Sequence, residues 1–431
     1  MYFILHSLNY SPELTGIGKY NGEMAVGLVE RDVKVSAFLA PPYYPEWKIH
    51  DGFQKFTYHK SIVDGVKIIR CPLYVPKKVT TIKRIIHLSS FAFSSGLALF
   101  SKMFKKPDII MLVQPTLFCA PFTLLFAKLT GAKAIMHIQD YEVDALFGLG
   151  MMGEGRVAKI VKYFEKWLLS RFDAVSTISY SMIENAKDKG FNPEKIILFP
   201  NWSDTEFVTP HTCGSSIREE WGFDAKDIIV LYAGNIGNKQ GLEMVVEAAK
   251  QYTQQQNIKF VFVGTGAYVD TLKSMAESSG LLNVYFKPLQ PWAKVPAMLA
   301  AADIHLVIQR KGAADAVLPS KLTNILSVGG HALVTAEDHT ELGKTAVKHP
   351  GIFTCVEPEN VTSFVNGLNS LLDQVGRSYN VVARDFAEKY LSKDKVIDKF
   401  LTDLNELVGA KHDIQLKSDT KKELKKEVGS I

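Results

Sequence analysis

The residues best placed to do chemistry stand at glycine-rich junctions. NYSPELTGIGKYNGE puts Gly16 and Gly18 between a first apolar run and a helical segment, and VLYAGNIGNKQGLEMVVEAA repeats the arrangement with Gly234, Gly237, Gly241 and Lys239. Glycines let a phosphate come close to the backbone, and a helix N-terminus adds N–H groups and a positive dipole end. Two such loops suit a diphosphate-containing substrate, with Lys239 at hand for its charge. Tight turns are the alternative employment of these glycines. A dinucleotide fingerprint is not met: the third glycine, Gly22, comes one residue late for G-x-G-x-x-G. The second apolar run also ends in Ala40-Pro41-Pro42 without a ribose-binding carboxylate, which argues against an oxidoreductase.

Two further junctions are rich in polar groups. HIQDYEVDA places His137, Asp140, Glu142 and Asp144 just after an apolar run. There an imidazole or carboxylate can orient a hydroxyl nucleophile or stabilise a developing cation. His137 and Asp140 are the preferred pair; Glu142 reads as an acid complementing a helix dipole. IQRKGAADAVLPSKLTNILSVGG gathers Arg310, Lys311, Asp315, Ser320, Lys321 and Asn324, a set suited to ligand contact, although Ser320 alone suits a helix cap. No Asp-x-Asp pair and no His/carboxylate set with metal spacing occurs, so neither an essential divalent ion nor a cofactor is expected.

These junctions need elements to hold them. Short apolar runs alternate with helical segments: YFILHSL, VKVSAFL, VKIIRC, DIIMLV, AKAIMHI, AVSTIS and KIILFP, then DIIVLYAG, IKFVFVG, VYFKP, IHLVIQ, HALVTA and GIFTCVE. Repeated βα units require right-handed crossovers and a parallel sheet covered on both faces. Two series imply an α/β protein of two doubly wound, Rossmann-like domains facing a cleft. Residues 1–205 and 206–410 are the expected domains, with 411–431 a charged tail. Ligands in such folds lie beyond the carboxyl ends of strands, where the polar junctions fall. The aromatic-rich stretch 41–66 reads as a lid or acceptor-binding loop, or as a surface loop packed on its own rings.

Composition sets the outer limits. With 431 residues, 47% of them hydrophobic, the chain exceeds one ordinary core and is not disordered. Its net charge of +5 is uneven: residues 1–200 hold 25 basic and 17 acidic side chains, and 51–106 alone hold 11 and 2. Such an excess points to phosphate-rich matter, an anionic membrane surface or nucleic acid. The four cysteines are far apart and read as free thiols of a reducing compartment. MYFILHSLNYSPE lacks a basic n-region and reads as a first strand, not a secretory signal. The 19 uncharged residues from Ile109 to Ala127 have a span's length, but Gln114, Pro115 and Pro121 favour strand, turn and helix, with Gly131 as the stop.

PELTGIGKYNGE, APPYYPEW, CPLYVPK, HIQDYEVDA, FPNWSD, YAGNIGNKQGL and PSKLTNILSVGG together resemble the family 4 glycosyltransferases of the GT-B fold, in their bacterial colanic-acid-biosynthesis (WcaI-type) branch. The resemblance runs to about residue 410. It implies transfer of a sugar, with retention, from a nucleotide-sugar to a lipid-linked or growing saccharide, with GDP-fucose the suggested donor. It matches Gly16 and Gly18 to the N-terminal donor loop and His137 to the histidine near the sugar. The broad family's G-R-x-x-x-x-K-G motif is altered: Asn235 stands at the arginine position and Gln240 at the lysine position. Its two glutamates, separated by seven residues, fall at Ala316 and Asn324. Donor contacts are therefore expected from Gly16, Gly18, Asn235, Gly237, Lys239, Asp315, Ser320, Lys321 and Asn324.

The missing glutamates also admit a catalytically silent nucleotide-sugar-binding subunit, and the same fold admits an epimerase. Between Lys77 and Lys106, Ile82, Ile86, Phe93, Leu97, Phe100 and Phe104 recur at helical spacing between basic ends. This segment is either a core-facing helix or one lying on an anionic bilayer. A cytoplasmic enzyme, peripheral on the inner face of the membrane, is expected, and nucleic acid is not, because no recognition module accompanies the charge.

Overall fold

The computed structural model describes residues 1–13, 16–44, 46–78, 80–114, 116–139, 156–311, 319–376 and 378–409, with only the backbone of 156–162 and of 239. The chain divides into two compact units: Met1–Ile178 with Ile183–Phe199 and the chain from Ile397 onward, and Ser179–Met182 with Pro200–Val396.

The N-terminal unit is built on eight strands in the order β3-β4-β2-β1-β5-β6-β7-β8. They are β1 (Tyr2–Ser7), β2 (Lys34–Leu39), β3 (His59–Val63), β4 (Val66–Arg70), β5 (Ile109–Val113), β6 (Lys133–Ile138), β7 (Ala174–Thr177) and β8 (Ile196–Leu198). All pairs are parallel except β3 with β4. Every residue of β1 and β5 is buried, which is why IIMLV of β5 is continuously apolar and β1 opens YFIL before its buried His6 and Ser7. The order reverses direction between β1 and β5, so the crevice outside their carboxyl ends is this unit's expected ligand position.

The uncharged stretch 109–127 folds as strand, turn and helix: β5, then helix α3 after α1 (Gly16–Val29) and α2 (Thr81–Phe100). Helix α3 (Ala120–Thr130) is closed by Gly131 in the left-handed region, φ 72°. No helix among the described residues is long and apolar enough to cross a membrane. The stretch 41–66 is not wholly loop, since β3 and its Asp64-Gly65 turn form a hairpin with β4.

The C-terminal unit carries six parallel strands in the order β11-β10-β9-β12-β13-β14, reversing between β9 and β12. They are β9 (Ile228–Ala233), β10 (Ile258–Val263), β11 (Val284–Lys287), β12 (Ile304–Val307), β13 (Ala332–Thr335) and β14 (Thr354–Val356). This unit ends short of residue 410. Helical residues 397–409 belong to the N-terminal unit, where Phe400 stacks on Phe199 at 3.9 Å and Ile397 lies against Gly27. Both apolar side chains are fully buried there, which fixes the segment in place.

Candidate active site

In the C-terminal unit the loop after β9 is shaped from below. Tyr232 donates its hydroxyl to the Asn235 carbonyl at 2.7 Å, and the N–H groups of Gly234 and Ile236 donate to Val263 and Thr265, each at 2.9 Å. Gly264 and Gly266 exist for this contact: a Cβ on either would stand 1.9 Å from the Gly234 carbonyl oxygen and 2.1 Å from that of Ile236, respectively. Gly237 donates its N–H to Gln240 Oε1 at 3.0 Å, while Asn235 is exposed at the tip. Arg310 clamps the loop from the β12 side. It donates to the Asn238 carbonyl at 2.7 Å and pairs with Glu243 and Glu359, so its charge is already met.

Lys321 differs. It extends from the helix Ser320–Ser327 to lie over the Tyr232 ring, its Nζ 4.0 Å from the centroid, and a Cβ on Gly234 would stand 3.1 Å from that nitrogen. No carboxylate among the described residues pairs with it. Desolvation pulls its pKa down to about 7. Asn324, one turn along the helix, accepts from Ser203 Oγ at 2.7 Å through Oδ1. Ser320 is exposed and caps nothing, since Pro319 occupies the N-cap position without a side-chain bond. Gln309, just past β12, keeps a buried side-chain oxygen without a partner among the described residues. Lys321 therefore meets the loop after β9 at Gly234, and Asn324 stands one turn along the same helix. Asp315 and the side chain of Lys239 lie outside the described residues, as does Asp140.

In the N-terminal unit the loop after β1 is a brace as much as a cradle. Gly18 is buried, and a Cβ there would meet Glu13 Cβ at 2.7 Å. Packing against Glu13 is thus sufficient reason for a glycine at position 18. Gly16 is exposed, with φ 59° and open space around it. The buried Glu13 carboxylate accepts from the N–H groups of Tyr43 and Tyr44, both at 3.1 Å, and from Asn9 Nδ2 at 2.9 Å. Arg70 donates to the carbonyls of Ala40 and Ser11 and lies over the Phe53 ring. Loops after β1, β2 and β4 are thereby tied together, and the segment 41–58 is anchored to them.

His137, expected at the reaction centre, is a core residue of β6 with 1% exposure. Gln139 Nε2 stands 3.0 Å from its Nε2 and Ser176 Oγ 2.8 Å from its Nδ1. Because an amide nitrogen only donates, Nε2 accepts and Nδ1 carries the proton, which it donates to Ser176. Burial pushes the imidazole pKa down to about 3, so it is neutral. The half-buried Gln139 is the polar group that reaches the strand end. Gln114, after β5, is fully buried, and neither amide atom has a partner among the described residues. Sequence reasoning missed Glu13, Arg70, Gln139 and Ser203. Glu13, Gln139 and Ser203 stand inside PELTGIGKYNGE, HIQDYEVDA and FPNWSD, and Arg70 ends β4, which are the signals the sequence offers for them.

Residues 15–202 match the family described as glycosyl transferase 4-like domain, and residues 215–385 match glycosyl transferases group 1. A relative from Escherichia coli (strain K12), described as the colanic acid biosynthesis glycosyl transferase WcaI, is 46% identical over 411 residues, 94% of this chain and all of the relative. The chain is a family 4 glycosyltransferase. Its fold is GT-B, as in the sucrose-phosphate synthase of Thermosynechococcus elongatus, with TM-score 0.71 at 15% identity over 95% of this chain and all of that one. The Anabaena protein HepE, solved with UDP-glucose, matches with TM-score 0.65 at 13% identity over 94% of this chain and 99% of its own.

Within this glycosyltransferase, two positions that the resemblance gives to a basic pair are otherwise used. Asn235 is an exposed amide, and Gln240 closes the turn on Gly237. Among the described residues, no group of three or more His, Cys, Asp or Glu side chains is placed to hold a metal ion.

Proposed function

We propose that this glycosyltransferase moves a sugar, with retention at the anomeric carbon, from a nucleoside-diphosphate sugar held on the C-terminal unit to a lipid-linked or growing saccharide of colanic-acid-type exopolysaccharide. The observation that carries the reading is Lys321: a desolvated lysine with no carboxylate partner among the described residues, against the glycine loop at the β9/β12 switch. A departing diphosphate needs its developing charge met, and Lys321 with the Asn235–Gly237 backbone and Ser320 is suited to meet it. Lys239 and Asp315 remain proposed donor contacts on the sequence alone. Asn324 offers its amide to the nucleotide or sugar. Gly16 is the proposed contribution of the N-terminal unit, and Gln139, held by His137, is the proposed polar group near the oxocarbenium-like sugar, with Asp140. The family resemblance makes GDP-fucose the first donor to test, and HepE's ligand makes UDP-glucose the second.

The acceptor side favours a membrane surface. Helix α2 buries Leu88, Phe91, Ala92 and Leu99 against the sheet, so the stripe of Ile82, Ile86, Phe93 and Leu97 is not the core-facing one. Ile82 is 72% exposed and Phe93 62%, and Leu125 and Leu129 of α3 are exposed too. Lys77, Lys78, Lys83 and Arg84 lie at one end of α2 and Lys102, Lys105 and Lys106 at the other. That combination suits an anionic bilayer bearing a lipid-linked acceptor. Calorimetry with GDP, UDP and their sugars tests the donor reading. Binding that Lys321→Ala weakens at least tenfold supports it; equal binding by wild type and variant removes Lys321 from the site.

A further inference from the structure

The amide of Asn324 presents either an acceptor or a donor to a ligand, depending on which end is held. Ser203 holds one end. It is fully buried in FPNWSD, its N–H donates to the Leu391 carbonyl at 2.8 Å, and its own carbonyl accepts from Lys393 at 3.3 Å. This two-sided bridge to Ser392 fixes its backbone, and the neighbouring Trp202 is buried beside it. Ser203 Oγ has no other acceptor among the described residues, so its proton goes to Asn324 Oδ1 at 2.7 Å. Asn324 Nδ2 then has no protein partner among the described residues and shares a helix face with Lys321, three residues earlier.

We propose that Ser203 is a positioning residue for the nucleotide-sugar: its hydroxyl locks the Asn324 amide so that Nδ2 donates to an acceptor oxygen of the ribose or diphosphate. An ionised glutamate, the residue that the family resemblance sets at this position, only accepts. Ser203 and Asn324 together reverse the polarity offered there. The inference rests on the donor reading of the C-terminal unit.

A double-mutant cycle read by calorimetry with UDP and GDP tests it, with melting curves to confirm folding. Ser203→Ala is expected to weaken nucleotide binding about 5- to 10-fold and to raise the donor KM with kcat nearly unchanged. In an Asn324→Ala background the same change is expected to add less than about 1.5-fold. Asn324→Asp keeps the bond to Ser203 but turns a carboxylate oxygen to the ligand, and is expected to bind at least as weakly as Asn324→Ala. Should Ser203→Ala not fold, Ser203→Cys takes its place in the cycle. Independent, additive effects, or tighter binding by Asn324→Asp, overturn the positioning role and leave the donor site standing. Unchanged binding in Asn324→Ala overturns the donor role of Asn324, and the positioning role with it.

Discussion

A desolvated amine is costly to charge unless a ligand meets that charge, and Lys321 has no carboxylate partner among the described residues. Its pKa, pulled from the usual lysine value to about 7 by desolvation, gives two opposite pH dependences. The diphosphate needs the charged form, so UDP or GDP affinity should fall as pH rises from 6.5 to 8.5, by up to about tenfold per unit above the pKa. Lys321→Met should flatten that profile. Stability runs the other way: between about 7 and the unfolded value the folded protein binds fewer protons, so unliganded stability rises with pH there. Lys321→Met should therefore melt no lower than wild type at pH 7 while losing nucleotide. His137 makes the contrasting case. As a neutral core residue bonded to Ser176 and Gln139, it should cost about 2–4 kcal/mol of stability when changed to Ala, read by denaturant titration. Gln139→Ala should instead lower transfer with a smaller change in melting. The histidine's place at a strand end was legible in the sequence. Its burial was not, because burial depends on Phe199 and Ser176, which the fold brings to it from β7 and the end of β8.

Among elements, the strand-end loops of the N-terminal unit stand or fall together. Arg70 joins Ala40 and Ser11, and Glu13 joins Tyr43 and Tyr44. Arg70→Met should speed amide hydrogen exchange across residues 41–58 and destabilise the unit by about 3 kcal/mol, since it leaves buried carbonyls unpaired. Most strands were readable because buried parallel strands are continuously apolar, as IIMLV and IIVLYA are. β3 was not. HKSIV is exposed along nearly its whole length and owes its pairing to the turn at Asp64-Gly65 rather than to burial. Helix α2 shows the other limit of pattern reading: it has apolar residues on two faces, and periodicity alone cannot tell which one the sheet covers.

At the scale of the whole molecule, charge divides along the chain. The basic N-terminal unit bears the exposed apolar face of α2 and α3, and the C-terminal unit bears Lys321 and its glycine loop. Purified protein should float with phosphatidylglycerol-containing liposomes at low salt, and the pair Phe93→Ser and Leu97→Ser should reduce flotation several-fold. Absence of flotation by wild type would remove the bilayer from the account. The chain is a transferase, and transfer from a nucleoside-diphosphate sugar requires the departing charge to be met. The most direct measurement is turnover of GDP-fucose and UDP-glucose by purified protein with a lipid-linked saccharide acceptor, with the new linkage read by NMR. The account predicts nucleoside diphosphate released in step with glycosylated acceptor, anomeric configuration retained, and at least a tenfold loss of kcat/KM in Lys321→Ala. An inverted linkage, or full turnover without Lys321, would contradict it.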